Sequence, residues 1–134
     1  GQSVTFDRFA GQSIVLYFYP KDDTPGCTAE ACSLRDGYQD LLDSGFAVVG
    51  VSPDSVAKHG KFVEKFDLPF PLIADVDKAV VKAYGVWGLK KFMGREFEGV
   101  HRLTFVIDVN RCISRIITKV NTKESAAQIL ESAG

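Results

Sequence analysis

Two runs of β-branched and aromatic residues constrain this chain more than any other feature. Residues 13–19 lie between Gly11 and Pro20, and residues 46–52 follow Ser44 and Gly45. Each reads as a buried strand. The stretch between them changes period. Leu34, Tyr38, Leu41 and Leu42 recur at spacings of three and four, which puts them on one face of a helix. Thr24 suits its N-cap and Pro25 its first turn, and Ser44–Gly45 ends it. Strand, helix and strand in this order make a βαβ unit with parallel strands.

The rest of the chain extends the pattern. Asp54 is placed to cap a second helix, with Val56, Phe62, Val63 and Phe66 as its buried side. Pro69 and Pro71 interrupt it. A short strand at 72–74 and a short helix at 78–84 follow. Residues 85–99 carry four glycines among Trp87, Phe92, Met93 and Phe97 and read as a loop with at most a short strand piece. Residues 102–108 form a strand, 108–111 a turn, and 112–120 a strand that pairs back as a hairpin. Asn121 and Glu124 resemble a capping box ahead of a last helix carrying Ala126, Ala127, Ile129 and Leu130. A βαβ unit followed by a ββα unit is the thioredoxin topology. The expectation is an α/β fold with a mixed central sheet, helices on both faces, and one domain over residues 1–134.

Composition removes several classes of function. The chain has 134 residues, which suits one core, and a net charge of −1, so nothing draws it toward nucleic acid or anionic membranes. Its longest apolar runs, such as 14–19, fall short of the ~20 residues a spanning helix needs. No signal peptide is visible. The chain opens with Gly-Gln-Ser-Val close to its first core strand, so further residues are expected upstream. Three cysteines, Cys27, Cys32 and Cys112, are a poor number for a disulfide framework. They are expected to be reduced at rest, in the cytoplasm.

The informative segment is Pro20-Lys-Asp-Asp-Thr-Pro-Gly-Cys27-Thr-Ala-Glu-Ala-Cys32. It runs from the C-terminal end of the first strand into a helix, where open α/β sheets bind ligands. Cys27 falls in the first helical turn. The free N–H groups and the macrodipole, roughly half a positive charge, favour thiolate there, and thiolate is the nucleophile. Cys27 is not clearly on the apolar face. The Thr24 hydroxyl is placed either to cap the helix or to hydrogen-bond the sulfur and an incoming oxygen. Pro20 shapes the strand exit. Cys32 lies five residues on, so in an unbroken helix the two Cα atoms would be about 8.6 Å apart, beyond the ~7 Å limit for a disulfide. Either the two never bond, or bonding unwinds the first turns. Arg102, at the start of an inner strand, could place a fixed guanidinium against a thiolate.

These residues resemble the peroxiredoxins, whose pattern Pro-x-x-x-Thr-x-x-Cys is met by Pro20, Thr24 and Cys27. The longer run Tyr-Phe-Tyr-Pro-Lys-Asp-Asp-Thr-Pro-Gly-Cys-Thr-x-Glu-Ala-Cys is similar to the Q-type subgroup, the bacterioferritin comigratory proteins. So are Gly50-Val-Ser-Pro-Asp54, Tyr84-Gly-Val-Trp-Gly88 and Arg102-x-Thr-Phe-Val-Ile-Asp108. The family's N-terminal β-hairpin has no counterpart ahead of the first core strand. The resemblance implies a peroxidatic Cys27 and a resolving Cys32. Thr24 and Arg102 would hold the peroxide, with Pro20 and Gly26 completing its site. The implied cycle runs through a Cys27 sulfenic acid and an intramolecular Cys27–Cys32 disulfide, recycled by thioredoxin or a similar dithiol. It needs no metal or organic cofactor, and the chain is expected to act as a monomer or weak dimer.

Two other readings compete. A thiol–disulfide oxidoreductase would show Cys-x-x-Cys and a proline before the hairpin strand, where this chain has Arg102. A peroxide-sensing switch would pass its oxidation state to a partner through the unwinding helix. Cys112 matches no catalytic position and reads as a spare thiol. His59 and His101 are too isolated to argue for a metal site. Trp87, Phe92 and Phe97 suit a pocket wall or core filling equally.

Overall fold

Strand β1 (Ser13–Phe18) occupies the middle of the sheet, and its sequence shows why: it has apolar side chains for both faces. The structure is a computed structural model and describes residues 9–92 and 94–133. Val15, Tyr17 and Tyr19 enter one core, with Val48 of β2 (Phe46–Ser52). Ile14, Leu16 and Phe18 enter the other, with Ala47, Val49 and Val51. This is the two-residue period of a strand buried on both sides. β1 runs parallel to β2, with Leu16 opposite Val49, and antiparallel to β6 (Leu103–Ile107), with Phe18 opposite Leu103. With β3 (Leu72–Ala74) and β7 (Ile113–Ile117) the order is β3-β2-β1-β6-β7.

Helices cover both faces, as a thioredoxin-like fold requires. The first core takes Ala31 and Leu34 of α1 (Pro25–Asp36), Leu41 of α2 (Tyr38–Asp43), Phe62 of α3 (Val56–Phe66) and Ile129 of α5 (Ser125–Ala133). Each such large apolar side chain contributes about 1.5–3 kcal/mol on burial. The second core takes Val81 of α4 (Ala79–Ala83) together with Val86, Val100 and Phe105. No helix among the described residues is long and apolar enough to cross a membrane.

Several local expectations differ. The helix after β1 is two helices divided at Gly37. A Cβ at that position would lie 2.5 Å from the Ala126 Cβ, so the close approach of α5 requires glycine there. The cap of α3 is Ser55, whose hydroxyl accepts from the Lys58 N–H, and not Asp54. On α3 itself, Val56 is exposed, and the buried side is completed by His59. Residues 87–100 are not a loop but a hairpin of β4 (Trp87–Phe92) and β5 (Arg95–Val100), turning at Gly94 with φ +78°. Trp87 packs on the second core while Phe97 is exposed, so neither reading of the three aromatics holds for all of them. The Phe92 side chain and Met93 lie outside the described residues. In the turn before the last helix Asn121 Oδ1 accepts from the Glu124 N–H, but the Asn121 N–H donates to Gln128 Oε1 and not to the Glu124 side chain.

Candidate active site

The register of β1 against β6 explains how residues far apart in sequence meet. Phe18, the last residue of β1, lies opposite Leu103, the first of β6. Arg102 therefore emerges at the same end of the sheet as the chain that leaves β1 and enters α1. Pro20 bends that exit, half-buried, directly after Tyr19, whose N–H donates to the Val51 carbonyl. Thr24 is extended at the helix N-cap, with φ −97° and ψ 155°, and Pro25 takes the first helical position. The first intrahelical bond runs from the Thr28 N–H to the Thr24 carbonyl, so the Cys27 N–H lies in the unpaired first turn.

Cys27 is 1% exposed and packs in the first core. It lies on the buried face of α1, contrary to the sequence expectation, because Cys27, Glu30, Ala31 and Leu34 form one stripe at spacings of three and four. Arg102 crosses to it. Its Nη2 donates to Cys27 Sγ at 3.1 Å, and its Nη1 donates to Glu30 Oε1 at 2.6 Å. The guanidinium fork thus spans the sulfur and a carboxylate one helical turn away. Gly26 makes this possible. A Cβ there would sit 3.2 Å from Arg102 Nη2, so a side chain would press on the guanidinium.

Electrostatics at this corner are dominated by burial. Glu30 has no solvent exposure, and the cost of burying its charge pushes its carboxyl up to about 7, against the pull of Arg102. Arg102 is itself desolvated, but Glu30 and the sulfur outweigh that effect and hold its proton more firmly than usual. Tyr17, in the middle of β1, is driven well above the ordinary phenol range by burial, then by the negative charges of Glu30 and Cys27, so it keeps its proton. Among the described residues, Tyr17 Oη, Glu30 Oε2 and Thr104 Oγ1 are buried without a hydrogen-bond partner. Tyr17 and Thr104 face each other in the β1–β6 register.

The structure thus brings Cys27, Gly26 and Arg102 together. It does not bring the Thr24 hydroxyl to the sulfur or to the helix N–H groups. That hydroxyl donates instead to the Lys21 carbonyl at 2.9 Å, closing the turn before the helix. Cys32 is half-buried on the same unbroken helix, and both cysteines are free thiols. Glu30 was legible only as a carboxylate in an apolar stripe: four and seven residues before Leu34 stand Glu30 and Cys27. His59, isolated in sequence, is 5% exposed and bonds Asp22 of the β1–α1 connection. The ligand-type atoms of Asp22, Asp54 and His59 lie within 4.8 Å of one another. Hydrogen bonds within the cluster and to Tyr19, Ser52 and the Ile73 carbonyl occupy those atoms.

Cys112 lies beyond the far end of β6 from Arg102, exposed, in the turn that Asp108 closes. One strand length, about 17 Å for five residues, separates that end from the site. Cys112→Ser is expected to leave unchanged the peroxide turnover that the resemblance implies. Trapping of a mixed disulfide in that variant, detected by mass, would assign Cys112 a part in the cycle.

The sequence profile of the AhpC/TSA family matches residues 1–116. Peroxiredoxin Bcp of Bacillus subtilis (strain 168) is 45% identical over 132 residues, covering 98% of this chain and 84% of its own. Peroxiredoxin Bcp of Escherichia coli (strain K12) is 43% identical over 122 residues, covering 91% and 78%. The solved bacterioferritin comigratory protein of Xanthomonas campestris, known for alkyl peroxide reduction activity, superposes with a TM-score of 0.91 at 33% identity. That match covers 98% of this chain and 83% of the Xanthomonas protein.

Proposed function

The chain belongs to the AhpC/TSA family and is a peroxiredoxin, and on that premise we propose that Cys27 is the cysteine that reacts with peroxide and Cys32 the one that resolves it. The observation that carries this reading is the 3.1 Å hydrogen bond from Arg102 to Cys27 Sγ, made inside a water-poor corner at a helix start. The Cys27 thiolate attacks one peroxide oxygen. An S–O bond forms, the O–O bond breaks, and the leaving oxygen takes a proton to become water or an alcohol. Arg102 stabilises the negative charge that passes from sulfur to the leaving oxygen. The protonated Tyr17, whose hydroxyl is unpartnered, shares the first core with Cys27 and feels its charge. Gly26 gives the guanidinium its room. Pro20 and Thr24 fix the turn from which the helix starts, Thr24 through the Lys21 carbonyl.

Cys32 then attacks the Cys27 sulfenic sulfur. The S–S bond forms, the S–O bond breaks, and hydroxide leaves with the Cys32 proton as water. A dithiol such as thioredoxin returns two electrons by exchange and restores both thiols. The alkyl peroxide activity of the Xanthomonas relative supports organic hydroperoxides as substrates beside hydrogen peroxide. We further propose that residues 1–134 work as one domain, as a monomer or weak dimer, in a reducing cytoplasm. Peroxide consumption with thioredoxin, its reductase and NADPH tests the cycle. Sustained loss of both hydrogen peroxide and an alkyl hydroperoxide is expected. Turnover of protein disulfides without peroxide consumption would contradict it.

A further inference from the structure

The connection between β1 and α1 is held from outside by α3. Asp22 is buried in that connection at 8% exposure. Its Oδ1 accepts from the Tyr19 hydroxyl and its Oδ2 lies 2.6 Å from His59 Nδ1. The Asp22 N–H donates to Asp54 Oδ2, which also accepts from the Ser52 hydroxyl. The other ring nitrogen, His59 Nε2, lies 2.9 Å from the Ile73 carbonyl of β3. Lys65, further along α3, pairs with Asp23 at 2.8 Å. Asp23 has φ +58°, a left-handed conformation held by its surroundings, and Thr24 follows it directly.

We propose that His59 is a positioning residue for the Cys27 centre: its ring, donating from both nitrogens to Asp22 and to the Ile73 carbonyl, locks the β1–α1 connection in the conformation that starts α1 at Thr24. The proton count follows from geometry. A carboxylate and a carbonyl only accept, so both ring nitrogens carry hydrogen, and His59 is an imidazolium. Burial opposes that charge, but the hydrogen bond and charge of Asp22 outweigh it and raise His59 above its ordinary value. The titratable groups facing the ring are Asp22 and Tyr19 from the connection and Asp54 from beyond β2. Lys58 of α3 reaches Asp54 from the solvent side, and β3 offers only a neutral carbonyl. Because the folded value lies above the unfolded one, the lock is complete below the ordinary histidine range. It is lost as pH rises through the raised value.

The inference rests on Cys27 as the reacting cysteine, so its test has one arm that does not depend on peroxide. At neutral pH, ¹⁵N spectra of the wild-type ring should show both nitrogens protonated. His59→Gln supplies a donor to only one of the two acceptors. Amides 22–24 should exchange faster in that variant, and Cys27 oxidation should slow by roughly tenfold to a hundredfold, the size of effect that a misplaced reacting group produces. The wild-type advantage should shrink toward one as pH passes the His59 titration, which a purely structural role would not produce. Three results would overturn the proposal: a singly protonated ring at neutral pH, unchanged exchange at 22–24 in His59→Gln, or an unchanged oxidation rate in it. A variant that fails to fold leaves the decision to the wild-type ring spectrum. Absence of Cys27 oxidation in the wild type would instead overturn the functional reading, and with it this role.

Discussion

Cys27→Ser is expected to remove peroxide turnover entirely. Serine is neither ionised nor soft at neutral pH, so the variant loses the nucleophile while changing one atom at this buried position. The fold should survive, because the replaced atom is one sulfur in a corner already bounded by Arg102, Gly26 and the first core. The check is peroxide consumption at matched protein concentration, with a circular dichroism spectrum to establish folding. Turnover that persists in a folded Cys27→Ser protein would move the nucleophile to another residue and end the proposed cycle at its first step.

Arg102→Ala carries the next largest effect, and it has two parts. The cation that faces the sulfur and the leaving oxygen disappears, which for a single preorganised donor costs about 10²–10³ in rate. The variant also strands Glu30, whose charge would remain buried and unpaired, at up to about 3–5 kcal/mol if the carboxylate stayed ionised. Glu30 titrates near 7 already, so it can take up a proton and avoid part of that cost. The double variant Arg102→Ala/Glu30→Gln separates the two parts. It should recover thermal stability relative to Arg102→Ala while its stopped-flow oxidation stays slow. A single variant with the wild-type rate constant would remove Arg102 from the site. Recovery of the rate in the double variant would mean that Arg102 serves only to neutralise Glu30.

The strands were legible where burial on both faces leaves only one assignment. Apolar residues run through β1 after Ser13, through β2 apart from Gly50 and Ser52, and through β6 apart from Thr104, and this near-continuous apolar character made the α/β class and the thioredoxin topology readable. The β4–β5 hairpin was not legible. Its glycines, Gly88, Gly94 and Gly99, and its charged residues hide the period of two, and among the described residues its buried anchor is Val100 at one end. Gly37 divides the first helix for a reason that no local pattern carries, the approach of Ala126 from α5. The site divided in the same way. Cys27 and Arg102 stood out by residue type and position. Glu30 and His59 are ionisable residues placed on apolar faces, and a sequence reader passes over such residues until the fold supplies their partners. Thr24 was found as the helix cap, but its hydroxyl closes the preceding turn, which competes with capping.

Burial of Cys27 and its bond to Arg102 make the resolving step more demanding than helix geometry alone. Disulfide formation must break α1 between Cys27 and Cys32, withdraw Cys27 from the core, and release the Arg102 hydrogen bond. Each backbone hydrogen bond lost costs about 1 kcal/mol net, a loss that peroxide reduction and the new S–S bond can offset. Helix ends are where such opening is least costly.

The most direct measurement is hydrogen exchange read by mass before and after one equivalent of peroxide, with the disulfide mapped on the same sample. A Cys27–Cys32 bond and lost amide protection across residues 26–34 are expected. Exchange in β2 and β6 should be unchanged. A confirmed Cys27–Cys32 bond with residues 26–34 as protected as in the reduced protein would contradict the breaking of α1.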